Sequence, residues 1–202
     1  ARPALEGLVT HSNLNQPYNP ATLAGAGRKM LECAETLGDT DTYRFDLVNI
    51  TRQVLSDFSK SLHNEIIVAY KAKDREKLAE AGKRFLDLGN DLDRLLATRR
   101  EFLLGVWMAE AKRWAATDQE KRLLEWNARN QITLWGSKDS MLHGYAHKQW
   151  SGMFAGFYVP RWRMFIDRLE KALATGKEMD APAFDKEIRE WEEKWTHQTD
   201  EY

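Results

Sequence analysis

Apolar residues recur at three- and four-residue intervals through most of this chain, and stretches that alternate every second residue are nearly absent. That period predicts helices packed side by side rather than a sheet. Asn19-Pro20 pairs a cap residue with a proline at the first helical position and opens a helix that Gly38 closes. Its inward face is expected to carry Leu23, Met30, Leu31, Ala34 and Leu37, with Ala24-Gly25-Ala26-Gly27 permitting close helix packing. A long helix is expected from about Thr42 to Lys73. Tyr43, Leu47, Ile50, Val54 and Phe58 form one stripe on it, and Val48, Leu55, Leu62 and Ile66 form a second. Two neighbouring stripes make a wide apolar face, as on a helix central to a bundle.

Asp74 caps the next helix, whose inward residues are Leu78, Phe85, Leu88, Leu92, Leu95 and Leu96. Another is expected from about Glu101 to Ala116, carrying Phe102, Leu103, Val106, Trp107, Ala111 and Trp114. Thr117 with Glu120 three residues on is a capping box, and it starts a helix through Leu123, Leu124, Trp126, Asn127, Asn130 and Leu134. A Gly/Ser/Asp loop breaks the pattern after Trp135, and a helix to about Tyr158 is expected beyond it. Pro160 restarts the chain in a helix to about Thr175, which Gly176 ends. Asp180-Ala181-Pro182 opens a last helix with Phe184, Ile188, Trp191 and Trp195 on one face. The first eighteen residues read as an irregular lead-in. The expected fold is all-α: one domain over residues 1–202, an antiparallel bundle of about seven to eight helices with short connections.

Composition narrows the class. Of 202 residues, 43% are hydrophobic and 30% charged, which describes a globular chain rather than a disordered one. Thirty basic and 31 acidic residues leave a net charge of -1, so a dedicated nucleic-acid binder is disfavoured. No apolar run reaches the roughly 18 residues that a membrane span needs. The single cysteine, Cys33, supports no disulfide framework and reads as a small buried hydrophobe beside Leu31 and Leu37. The chain begins at Ala1 without an initiator methionine or a signal sequence, and reads as a mature or excised piece. Asn49-Ile50-Thr51 is a glycosylation sequon, but it falls mid-helix.

Candidate chemistry is sparse. His143 and His147 share a spacing that can hold zinc, yet Gly144 stands where the metalloprotease pattern requires Glu and no third ligand suggests itself. No metal or cofactor is expected. Di-iron bundles require Glu-x-x-His on two helices, and the chain contains none. Acidic residues such as Glu110 and Glu125, the latter four residues before Arg129, read as solvated positions on helical faces. Glycoside hydrolysis needs two carboxyls flanking one bond, one with a raised pKa, and nothing marks such a pair. No catalytic acid or nucleophile is assigned within this chain.

The loop around Trp135 survives this filter. Aromatic rings beside polar groups suit a sugar, whose C–H faces pack on a ring while its hydroxyls take hydrogen bonds. Spacing alone leaves a second reading open, in which Trp135 plugs the end of its helix as a core residue, since tryptophan is highly buried on average.

Several long motifs in fixed order resolve that choice by resemblance. Trp126-Asn127-Ala128-Arg129-Asn130-Gln131-Ile132-Thr133-Leu134-Trp135-Gly136 is similar to the all-helical C-terminal domain of glycoside hydrolase family 89, the α-N-acetylglucosaminidases. So are Tyr145-Ala146-His147-Lys148-Gln149-Trp150-Ser151-Gly152 and Phe157-Tyr158-Val159-Pro160-Arg161-Trp162-Arg163. Upstream, Tyr43 to Gln53 and Phe102 to Trp107 match the same domain, so the likeness covers most of residues 20 to 190. The resemblance implies a larger enzyme in which this domain packs beside a catalytic (β/α)8 barrel that carries two glutamates. It implies release of terminal α-linked N-acetylglucosamine with retention, and an extracytoplasmic setting: periplasmic or secreted in a bacterium, lysosomal in a eukaryote. Trp135 and Tyr145 correspond to pocket residues, Met141 to an apolar residue in the intervening loop, and His143 lies beside it. Arg161 and Arg163 are expected to act as ties between helices or to the barrel. The rival reading is a stand-alone helical carbohydrate-binding or protein-interaction module.

Overall fold

In the computed structural model, residues 2–5, 17–140 and 144–199 are described. Among them are eight α-helices and no strand beyond a single bridge: α1 Pro20–Glu32, α2 Ala34–Leu37, α3 Asp41–Lys71, α4 Arg75–Leu96, α5 Leu104–Lys112, α6 Asp118–Gln131, α7 Val159–Thr175 and α8 Ala181–Thr196. The termini follow local chemistry. Asn19, Asp74 and Asp180 each accept a backbone N–H of the first turn through the side chain, and both halves of the Thr117/Glu120 capping box form. These bonds satisfy amides that no helical carbonyl can reach. Gly176 ends α7 at φ +66°, where a Cβ would be strained.

Helix α3 packs along α4, α4 along α7, and α5 against α6, while α8 closes over α6 and α7. The main core gathers Ile66 of α3, Leu78 and Leu86 of α4, Phe165, Ile166 and Leu169 of α7, and Phe184 and Ile188 of α8. A second cluster joins Leu104 and Met108 of α5 to Ala128, Ile132, Met153, Phe157 and Trp195. α4 and α7 approach closely because Gly82 and Gly89 face them; a Cβ on Gly89 would stand 2.6 Å from Val159 Cγ2.

Several expectations are corrected. The first helix is interrupted at Cys33, and Leu31, Ala34 and Leu37 lie exposed because none of the described residues covers that side of α1 and α2. Cys33 is likewise exposed, not buried. Phe58, Leu123 and Trp114 point outward too, with Trp114 at 81% exposure just beyond the end of α5. The helix expected from Glu101 begins as a 3-10 turn at Arg100–Phe102, because Leu103 turns extended to bridge Ser151. No helix forms between Gly144 and Ser151, where Gly144 and His147 both take positive φ. Helix resumes at Met153 as a wide π turn, Phe154–Tyr158, which runs straight into α7. Pro160 therefore sits inside the first turn of α7 instead of restarting the chain.

The lead-in is better anchored than its sequence suggests. Arg2 is buried and donates to both carboxylate oxygens of Glu192, and Leu5 packs on the main core.

Candidate functional site

The loop after α6 is built by a sharp backbone reversal. Ile132, Thr133 and Leu134 are buried, so the chain enters the loop already fastened to the core. Trp135 then adopts φ +58° and Gly136 φ +154°. A bulky residue in the left-handed region costs about 1–2 kcal/mol, so the surroundings must hold it there. Asn130 does so from both sides: its carbonyl accepts the Trp135 N–H at 2.8 Å, and its side-chain amide donates to the Gly136 carbonyl at 2.6 Å. Gly144 N–H returns to the Thr133 carbonyl at 2.7 Å, closing the loop at its base.

This turn keeps the Trp135 ring out of the core. Its residue is 40% exposed, against 1% for neighbouring Leu134. Tyr145, 55% exposed, meets it with ring centroids 5.7 Å apart and planes at 49°. The two sequence-predicted site residues are thus brought together on the surface. Met141 and His143 lie outside the described residues. His147 is half-buried at φ +45°, and among the described residues no group of three potential metal ligands assembles.

Two limbs tie the loop to the bundle. Lys138 contributes its carbonyl to Arg189 at 3.2 Å and its ammonium to Glu193 at 3.5 Å, both on α8. On the other limb, the Gln149 carboxamide accepts from Arg52 and, at 3.2 Å, from Ser56 on α3. Asp93 of α4 then receives the N–H groups of Gly152 at 2.7 Å and Ala155 at 3.0 Å, capping the π turn.

Beneath the loop lies a buried polar layer that the sequence reading missed. Glu125 reads as solvated in the sequence, yet it and its partner Arg129 are only 3% and 0% exposed. They pair at 3.3 Å, Lys112 approaches Glu125 at 3.5 Å, and the Arg129 guanidinium covers the Trp195 ring at 4.5 Å. The signal was available in the register: positions 125, 128, 129 and 132 share one helical face, and Ala128 and Ile132 are core residues.

A second buried cluster joins the chain's start to α7 and α8. Arg161 donates to Glu192 Oε1 at 2.5 Å, beside Arg2. Burial pushes the Glu192 carboxyl upward, but the two guanidiniums outweigh it and hold the group below the usual carboxylate range. A general acid needs the opposite shift. Arg161 is therefore a tie between helices, as expected, while Arg163 is exposed. A concavity of about 440 Å³, lined by Pro3, Leu5, Tyr70, Met179, Phe184 and Ile188 among others, shares no residue with the loop.

Comparison with known proteins places this arrangement. Residues 1–202 match the family model described as the alpha-N-acetylglucosaminidase (NAGLU) C-terminal domain. The chain is 34% identical over 177 residues to human alpha-N-acetylglucosaminidase, covering 87% of this chain and 24% of that protein. It superposes on the family 89 glycoside hydrolase from Clostridium perfringens in complex with 2-acetamido-1,2-dideoxynojirmycin, with a TM-score of 0.87 and 28% identity. It fits the E483Q, E601Q form of the Clostridium perfringens enzyme in complex with GlcNAc-alpha-1,4-galactose equally well, at TM-score 0.87 and 27% identity. In both cases all of this chain is covered, but only 24% of the other. Because the family model spans the whole chain, the chain belongs to the α-N-acetylglucosaminidase C-terminal domain family.

Proposed function

We propose that this chain forms one wall of the sugar pocket in a retaining exo-α-N-acetylglucosaminidase of family 89. In this reading the acid and nucleophile are glutamates on a (β/α)8 barrel elsewhere in the same polypeptide. Terminal α-linked N-acetylglucosamine is the substrate, and the chain alone is inactive. The observation that carries the reading is the Trp135–Tyr145 pair: two adjacent rings held out of the core by a strained, multiply bonded turn. A ring kept exposed at such conformational cost has a task other than packing. The pair lies open on this chain's surface, so it encloses a saccharide only when a second surface faces it. A barrel mouth would supply that surface, exclude water and fix the sugar's orientation.

Trp135 and Tyr145 are the substrate-contacting residues in this proposal, joined by Met141 and His143 from the same loop. Among the described residues no helix is long and apolar enough to cross a membrane. An extracytoplasmic setting is part of the proposal.

The test is turnover of an aryl α-N-acetylglucosaminide by this chain alone and by the full-length polypeptide that contains it. The full-length protein should be active and the chain silent; activity of the chain alone would overturn the division of labour. Trp135→Ala in the full-length protein should lower kcat/KM roughly tenfold or more, the loss of about 1–2 kcal/mol of apolar contact. Unchanged kinetics would remove Trp135 from the site. A stand-alone binding module would retain saccharide affinity without the rest of the polypeptide, which binding assays on the same two proteins distinguish.

A further inference from the structure

We infer that Asn130 is the positioning residue that holds the Trp135 ring toward the saccharide, an inference that rests on the pocket reading above. Asn130 lies in the last turn of α6 and does not itself reach beyond the loop's first two residues. Asparagine is a poor choice for a helix interior, because its side chain competes for backbone groups. Here that tendency is put to use. The Asn130 carbonyl accepts from Thr133 N–H at 3.1 Å and Trp135 N–H at 2.8 Å, while its Nδ2 donates to the Gly136 carbonyl at 2.6 Å. The bonds bracket the Trp135 α-carbon, one on the peptide unit before it and one on the carbonyl a residue beyond it, so they restrain the backbone torsions of Trp135 and Gly136 together. Without the side-chain bond the Gly136 peptide is free to rotate, and the left-handed Trp135 relaxes toward a conformation that points its ring elsewhere.

Lys138 and Gln149 fasten the limbs, and Tyr145 meets the ring. Gly136 adds a matching constraint: a Cβ there would meet Ser140 at 3.3 Å and would be strained at φ +154°.

The chemistry of Asn130 allows a near-isosteric test. Asn130→Asp keeps the volume and removes the donor, setting a carboxylate oxygen against the Gly136 carbonyl oxygen. Asn130→Ala removes the group outright. In the full-length polypeptide both variants should raise KM for an aryl α-N-acetylglucosaminide about fivefold, with kcat within about twofold of the parent, as expected when ground-state and transition-state binding weaken together. In a Trp135→Ala background, Asn130→Ala should change KM by less than about twofold, because the ring it positions is already gone. A merely structural role would add its effect in both backgrounds.

A second readout does not depend on substrate. With 5-fluorotryptophan incorporated, the fluorine resonance that disappears in Trp135→Phe should shift or broaden in Asn130→Asp while the others hold. If Trp135→Ala raises KM but both Asn130 variants retain parental KM and an unmoved Trp135 resonance, the positioning role is overturned and the pocket reading stands. If Trp135→Ala itself leaves KM unchanged, the pocket reading fails; the resonance then still decides whether Asn130 orients the ring. Variants that do not fold would also overturn the inference, by making Asn130 a residue of the fold and not of the loop.

Discussion

Arg161 Nη1 stands 2.5 Å from Glu192 Oε1, with side chains 3% and 1% exposed, and this pair locks α7 to α8 at the place where Arg2 enters the bundle. Two guanidiniums on one buried carboxylate make Glu192 the charge on which the other two depend. Asp185, 3.4 Å from Arg2, supplies the additional negative charge at the solvent side.

Glu192→Gln should therefore destabilise the chain by about 3–5 kcal/mol at neutral pH, since it removes the buried carboxylate that both guanidiniums share. Scanning calorimetry should record a fall in Tm of roughly 10 °C. The folded carboxyl lies below its unfolded value, so its contribution is full above the ordinary carboxyl pKa of about 4.3 and is lost as pH falls through the folded value. The gap between parent and variant should narrow in that acid range. A constant gap down to pH 3 would contradict the assignment.

His63 predicts a second pH dependence, at a higher pH. Burial lowers its pKa, outweighing a backbone hydrogen bond to Ala4. The ring lies edge-on to Trp162 at 5.3 Å, and its buried Nε2 has no hydrogen-bond partner among the described residues. Protonation would bury an unpaired N–H, so the unfolded chain takes up the proton first. Stability should be full above about pH 6.5, the unfolded value, and should decline as pH falls from there toward the folded pKa. His63→Phe should flatten that part of the stability curve, measured by urea denaturation between pH 7.5 and 5.

Trp135→Gly separates folding from binding. Glycine removes the left-handed strain of about 1–2 kcal/mol, while loss of the Tyr145 contact forfeits about 0.5–1.5 kcal/mol. The two effects oppose each other, so Tm should stay within about 4 °C of the parent. Saccharide binding by the full-length protein should nevertheless fall. A large drop in Tm would show that the indole supports the fold, contrary to its exposure.

Gly89→Ala tests the closeness of α4 and α7. Helix propensity favours alanine by about 1 kcal/mol, but the new methyl would stand 2.6 Å from Val159 Cγ2. Valine is stiff and this one is buried, so the helices must separate, at about 1–3 kcal/mol. A net loss of stability is expected on thermal melting; a gain would mean that α7 yields easily.

Helix ends were the most legible part of this chain. Asn19, Asp74, Thr117 with Glu120, and Asp180 each bond an amide within three residues, so their effect depends on neighbours in sequence and not on the bundle. The inward faces of α4 and α8 were legible for a related reason: a 3.6-residue period repeats over many turns there, and one dominant stripe emerges. Trp135 and Tyr145 were singled out by likeness of motif, since spacing alone favoured a core plug for Trp135.

What the linear chain determined by itself, then, was the all-α class and the positions where most helices begin, because those choices are made by backbone amides and side chains a few residues apart. Tertiary structure decided which apolar residues are covered and which charges are not. Leu31, Leu37 and Trp114 remain outside because no helix among the described residues covers them, whereas Glu125 and Arg129 are sealed because α5 and α8 close over α6. The left-handed turn at Trp135 was decided there as well. Its strain is tolerable only where Asn130, Gly136 and the loop's return to Thr133 act together, and no local propensity of tryptophan favours it.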